Sequence, residues 1–99
     1  MQIAQLTPAQ VAADTGSTVV DVRESDEVAT GAIAGSTAIP LGQLAARAGE
    51  LDPAVPLVTV CQSGRRSQQA AEALAAAGYR VTNMAGGMKA WREAGLPTT

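Results

Sequence analysis

Short apolar runs alternate along the chain with segments whose apolar residues recur at helical spacing, and turn residues separate most of them. Thr18–Val22 (TVVDV) is β-branched and bounded by Gly16-Ser17, so it reads as a buried strand, and Leu57–Val60 (LVTV) as the central one. Gln2–Leu6, Ser36–Ile39 and Arg80–Met84 complete the strands. Between them, Thr7, Pro8 and Gln10 supply the N-cap, N1 proline and T-x-x-Q capping box of a helix over Pro8–Ala13. Ser25, followed by Asp26 and Glu27, marks a second, brief helix with acids at the positive end of its dipole. Leu41–Leu51 carries Leu44 and Ala48 at helical spacing and stops at Asp52-Pro53. Arg65–Ala77 is the clearest helix: Gln68, Gln69 and Glu72 form its polar stripe, Ala70, Ala71, Leu74 and Ala75 face inward, and Gly78 closes it. Gly87–Ala94 follows, with Met88 and Trp91 on one side and Gly95 and Pro97 as the stop. This alternation predicts an α/β fold with a mostly parallel sheet flanked by helices on both faces, whose ligands sit outside the carboxyl ends of the strands. Cys61 stands at one such end.

Size and composition narrow the possibilities. With 99 residues, 46% hydrophobic and 16% charged, the chain suits one compact domain, residues 1–99, with a modest core. No apolar run approaches the roughly 18 residues of a membrane span, and MQIAQLTPAQ lacks the basic start and apolar stretch of a secretory signal. A net charge of −2 and a single adjacent basic pair, Arg65-Arg66, argue against nucleic acid as a partner. One cysteine cannot form an internal disulfide, and an exposed thiol is threatened by oxidants, so a reducing cytoplasm is expected. The histidine count of zero excludes Cys–His and Ser–His–Asp nucleophiles and reduces the zinc-ligand inventory to one thiol and carboxylates, so neither a metal nor a cofactor is expected.

Leu57–Ala71 (LVTVCQSGRRSQQAA) joins a buried strand, a cysteine, a glycine-containing turn and a helix. Successive backbone N–H groups of Gln62, Ser63, Gly64, Arg65, Arg66 and Ser67 can point inward there, Gly64 permits the turn, and the helix dipole adds positive potential. Such a cradle favours thiolate over thiol, which makes Cys61 a nucleophile candidate. A lone cysteine can also be a small core hydrophobe. A packing cysteine, however, has no need of Gln-Ser-Gly-Arg-Arg at a helix start, and this context favours the reactive reading. Arg65 falls on the polar stripe, as an anion attractor at the rim or an ordinary solvated charge. Arg66 shares the stripe of Ala70 and Ala73, is expected to point inward, and would then need Asp21 or Glu24 as its carboxylate partner, bracing the loop. Asp26, Glu27, Glu50, Asp52, Glu72 and Glu93 are scattered and read as solvated charge. Trp91 reads as core against Met88.

Three segments, DVRESDEVATGAIAGSTAIP (Asp21–Pro40), VCQSGRRSQQAAEALAAAGY (Val60–Tyr79) and GGMKAWREAGLP (Gly86–Pro97), together resemble a single-domain rhodanese homology domain in motif order and spacing, over nearly the whole chain. The most specific element is C-x-x-G-x-R-S at Cys61–Ser67. The resemblance implies a five-stranded parallel sheet flanked by helices, and a cysteine that accepts a sulfane sulfur as a persulfide held by loop amides. It implies a small anionic sulfur donor such as thiosulfate and a thiophilic acceptor or acceptor protein, with no general base if the thiolate is preformed. Asp21 and Arg23 match the family's D-x-R and are expected to form a loop-supporting ion pair. The chain departs from the family pattern at Ala32, where histidine is common, and at Val28, where an aromatic is commoner. The absence of C-G-S-G-V-T, the loop of mercaptopyruvate-using relatives, leans towards thiosulfate.

Two other functions compete. A cysteine-dependent phosphatase or arsenate reductase resembles C-x5-R, with an arginine sixth after the cysteine to clasp the oxyanion. Here that position is Ser67. A protein-to-protein persulfide carrier or regulatory binding module would instead use the loops around Cys61 as an interface, and only transfer between proteins would distinguish it.

Overall fold

The computed structural model describes residues 2–99. Five strands, β1 (Gln5–Leu6), β2 (Thr18–Asp21), β3 (Thr37–Ala38), β4 (Leu57–Val60) and β5 (Val81–Met84), form one sheet in the order β1-β5-β4-β2-β3. Every pairing is parallel, so the expected mostly parallel sheet is entirely so. The central strand β4 is buried along its whole length, as a strand covered on both faces must be.

Side-chain alternation along the strands divides the interior into two cores. On one face Val20, Val22, Leu57 and Cys61 pack with Leu44, Leu51, Ala70 and Leu74. These come from α3 (Leu44–Arg47), its flanking turns, and α4 (Arg65–Ala76). On the other face Val58, Val60 and Met84 pack with Val11 from α1 (Pro8–Ala13) and with Met88 and Trp91 from α5 (Gly87–Glu93). Trp91 is core against Met88, as its position in the final helix predicts, and its indole N–H donates to the Pro97 carbonyl at 2.9 Å.

The predicted helix starts hold where local chemistry decides them. Thr7 and Gln10 form a reciprocal capping box, with the Gln10 amide on Thr7 Oγ1 at 3.2 Å and the Thr7 amide on Gln10 Oε1 at 2.9 Å. The second helix, α2 (Ser25–Val28), starts at Ser25 and is brief, as expected, with Glu24 as its N-cap. The continuous helix expected over Leu41–Leu51 is broken into a 3-10 turn (Leu41–Gln43), one α-turn (α3) and another 3-10 turn (Ala48–Glu50). Gly42 and Gly49 weaken it at both ends, and between them only Leu44 is buried. Strand β1 is limited to Gln5–Leu6, because only those residues find partners, on Asn83 and Met84 of β5. Among the described residues no helix is long and apolar enough to cross a membrane.

Strand order reverses direction between β2 and β4: β3 lies outside β2 on one side, while β4 and β5 continue on the other. The carboxyl ends at this switch point are where open α/β sheets place ligands. The Val22 amide donates to the Val60 carbonyl at 2.9 Å, which sets the end of β2 beside Cys61.

Candidate active site

Cys61 continues directly from β4, enclosed at 0% exposure among the apolar residues of the first core. The chain then turns through Gln62, Ser63 and Gly64 into α4. Gly64 caps that helix at φ +99°, a left-handed conformation that suits glycine, and a Cβ there would lie 3.2 Å from the Gly86 nitrogen.

What makes the turn a cradle is that its carbonyls are claimed from outside. The Cys61 and Gln62 carbonyls accept the Met88 and Lys89 amides of α5 at 2.8 and 3.1 Å. The Gly64 carbonyl accepts the Gln68 amide at 3.2 Å and Asn83 Nδ2 at 3.3 Å, and the Ser67 carbonyl accepts the Thr59 hydroxyl at 2.9 Å. With those carbonyls turned outward, amides are left facing the sulfur. Gly64 N and Ser67 Oγ both donate to Cys61 Sγ, at 3.0 and 3.3 Å, while the backbone amides of Ser67 and Ser63 add to the same field. Burial pushes the Cys61 thiol pKa up, but these donors outweigh it and hold the thiol below its ordinary range. Of the six amides expected to face inward, those of Ser63, Gly64 and Ser67 act on the sulfur, and the Ser67 side chain is a direct partner of it.

The paired glycines at the start of α5 follow from the same geometry. Gly87 adopts φ +59°, and a Cβ on it would collide with the Cys61 carbonyl and the Gln62 peptide. Only a bare backbone lets the first amides of α5, which lack partners in their own helix, reach the loop carbonyls.

The loop arginines differ from expectation in one respect. Arg65 is exposed, forms no salt bridge among the described residues, and lines an open cavity of about 410 Å³ on the outer side of the Gly64 turn, with Gln5, Gln69 and Gly86. Arg66 does not meet Asp21 or Glu24. Its Nη1 and Nη2 bond Glu27 Oε1 and Oε2 at 2.6 and 2.8 Å, and both side chains remain about one-third exposed. Its stripe runs along the boundary of α4, as the buried Ala70 and exposed Ala73 show, whereas Ser67, Ala70, Ala71 and Leu74 occupy the centre of the inward face. Glu27 is therefore not a free solvated charge. The Arg66 guanidinium draws its carboxyl down to about 2, despite the opposing effect of burial. Asp21 is unavailable to Arg66 because Arg23 holds it, with Arg23 Nη2 2.7 Å from Asp21 Oδ2 and both side chains 1% exposed. Arg23 also donates to the Glu27 and Gly31 carbonyls at 3.2 and 2.9 Å. The D-x-R residues thus form an ion pair, as expected, and Arg23 ties it to the backbone of the segment that carries Glu27.

Rhodanese-like domain is the description of the family that matches residues 7–94. The chain belongs to the rhodanese-like domain family. It is 34% identical over 95 residues to the putative sulfurtransferase YtwF of Bacillus subtilis, covering 92% of each chain. It is 37% identical over 87 residues to the thiosulfate sulfurtransferase GlpE of Pseudomonas fluorescens, covering 85% of this chain and 78% of that one. Among solved structures, the rhodanese-related protein of Thermoplasma volcanium superposes with a TM-score of 0.94 at 31% identity, over 97% of both chains. The fold expected of a rhodanese-like domain, a five-stranded parallel sheet with helices, is thus shared with a solved relative.

Thr59, Asn83 and Glu27 were not among the residues the sequence singled out. A polar residue interrupts the apolar pattern of LVTV, and an asparagine, disfavoured in strands, sits in VTNM; both are buried, with Thr59 bonding the Ser67 carbonyl in the first turn of α4 and Asn83 the Gly64 carbonyl of the loop. The signal was an unexplained polar residue inside a strand. For Glu27 no local signal existed, because its partner lies 39 residues away. Ala32 and Val28, the two departures from the family pattern, lie away from the sulfur: Ala32 pairs its amide with Thr99 Oγ1 at 3.1 Å, and Val28 lines a cavity with Pro40 and Arg47.

Proposed function

We propose that this rhodanese-like domain is a sulfurtransferase whose Cys61 carries the sulfur as a persulfide. The Cys61 thiolate attacks the outer sulfur of a sulfane donor such as thiosulfate; a new S–S bond forms to Cys61, the donor's S–S bond breaks, and sulfite leaves with the bonding pair. An acceptor nucleophile, a thiolate or cyanide, then takes the outer sulfur and returns Cys61 as thiolate. Neither step moves a proton, in keeping with a chain without histidine. The observation that carries the reading is the convergence of the Gly64 amide and the Ser67 hydroxyl and amide on the sulfur of the single cysteine. Sulfurtransferase names among relatives at 34–37% identity support the same chemistry. Ser67 supports it over phosphoryl chemistry, because its short side chain touches the sulfur from the position where C-x5-R would need a clasping arginine. Residues 1–99 act in this reading as one domain, with a small anionic donor, a thiophilic acceptor or acceptor protein, and a reducing compartment such as the cytoplasm.

Mass spectrometry after incubation with thiosulfate tests it. One added sulfur atom on Cys61, discharged by cyanide, is expected. Cys61→Ser, nearly isosteric, is expected to fold normally and to take up no sulfur. Thiosulfate:cyanide turnover by the folded serine variant would remove Cys61 from this role.

A further inference from the structure

The two loop arginines are adjacent in sequence but electrostatically unequal. Arg65 has no carboxylate partner among the described residues, whereas Arg66 is held end-on by both oxygens of Glu27 at 2.6 and 2.8 Å. The Glu27 carboxylate is itself fixed: its Oε1 also accepts the Glu24 amide at 3.1 Å, and the buried Arg23 holds the Glu27 carbonyl at 3.2 Å. Arg66 directly precedes Ser67, whose hydroxyl bonds the Cys61 sulfur at 3.3 Å, and Glu24 adds a further negative field on its guanidinium. Of the two arginines that open α4 after the sulfur turn, only Arg65 is therefore left without a carboxylate partner among the described residues.

We infer that Glu27 is a specificity-determining residue for the sulfur donor: by withholding Arg66 it removes attraction that would favour the thiosulfate dianion over donors with one negative charge. This deepens the sulfurtransferase reading and rests on it. The physical reason is that attraction scales with the product of charges: an unpaired Arg66 would add twice as much attraction for a dianion as for a monoanion, and the Glu27 carboxylate cancels it in both cases. The donors that gain relative to thiosulfate are organic persulfides and thiosulfonates, R–SO2–S⁻, in which one oxyanion charge of thiosulfate is replaced by carbon. The transfer remains balanced: Cys61 thiolate takes the terminal sulfur, the S–S bond of the thiosulfonate breaks, and the sulfinate R–SO2⁻ departs with the electron pair.

Thiosulfate and methanethiosulfonate, which differ by one charge at the leaving group, measure the effect directly, with cyanide as common acceptor. In Glu27→Gln, kcat/KM for thiosulfate is expected to rise about fivefold at low ionic strength and that for methanethiosulfonate about twofold, with a steeper salt dependence for thiosulfate. The gain is expected in KM rather than kcat. Glu27→Asp, which keeps the charge, should retain the wild-type ratio of the two donors. The double variant Glu27→Gln/Arg66→Gln should lose the gain, since the arginine that Glu27 releases is no longer present. A fall in both donors together would mean that Glu27 only props Arg66 in place, and an unchanged ratio, or a gain that survives in the double variant, would equally overturn the inference. Failure of both donors to load sulfur onto Cys61 in the wild type would instead overturn the sulfurtransferase reading beneath it.

Discussion

Two arginine–carboxylate pairs stand at the carboxyl end of the sheet, and they do different things with the same chemistry. Asp21–Arg23 is closed off from water, with 1% exposure on each side chain, and the remaining guanidinium N–H groups are taken by the Glu27 and Gly31 carbonyls. Glu27–Arg66 is as well aligned but about one-third exposed on both sides. A buried pair whose partner is removed leaves an uncompensated charge in a low-dielectric interior, while a pair open to water has solvent to replace it. The first pair is therefore a fixed part of the scaffold, and the second is an adjustable part of the field around the sulfur.

Breaking each pair from its acidic side is the sharpest test of that contrast. Asp21→Asn is expected to destabilise the fold by about 3 kcal/mol or more, because Arg23 loses its counter-charge where water cannot reach. Glu27→Gln, the equivalent change at the exposed pair, is expected to cost about 1 kcal/mol. Chemical denaturation of both variants measures the difference. Equal losses would dissolve the distinction between scaffold and field.

Acid titration probes the same pair without mutation. The Glu27 carboxyl lies at about 2 in the folded protein against an ordinary value of 4.5, so the folded state favours its ionised form. Its stabilising contribution is complete above about pH 4.5 and is lost as the pH falls through that window towards 2. Thermal melts between those limits should therefore show an acid loss in the wild type that is smaller in Glu27→Gln. Matching profiles would show that the pair contributes nothing to stability in water.

The smallest effect is expected at Arg65, which lacks a partner. Arg65→Ala should raise the thiosulfate KM about twofold at low salt, with the difference fading towards 1 M, where the screening length falls to about 3 Å. Melting should not change. An unaltered KM at low salt would make Arg65 an ordinary solvated charge.

The elements that were legible in the sequence are those whose signals lie within a few residues. The capping box at Thr7 and Gln10, the β-branched strands around Val20 and Val58, and the apolar stripe through Ala70 and Leu74 are local patterns, and each appears in the structure. The cradle was legible for the same reason, since Cys61, Gly64 and Ser67 lie within seven consecutive residues. The helix over Leu41–Leu51 was over-read because helical spacing does not reveal how little of that face is buried.

By itself the sequence determined the alternating α/β plan, the position of a lone cysteine at a strand end and the donor-rich turn that follows it, because these depend on periodicity and on backbone conformations that neighbouring residues dictate. Only the tertiary structure decided which carboxylate meets Arg66, why Gly87 must be bare, and that the first amides of α5 and the Asn83 side chain claim the loop carbonyls. Those are contacts between segments remote in the chain. Their partners are chosen by the strand order and by the exact rotation of α2, α4 and α5 around the sheet. A one-residue step along α4 turns a side chain by about 100°. That rotation separates the buried Ser67 beside the sulfur from Arg66, about one-third exposed, on Glu27.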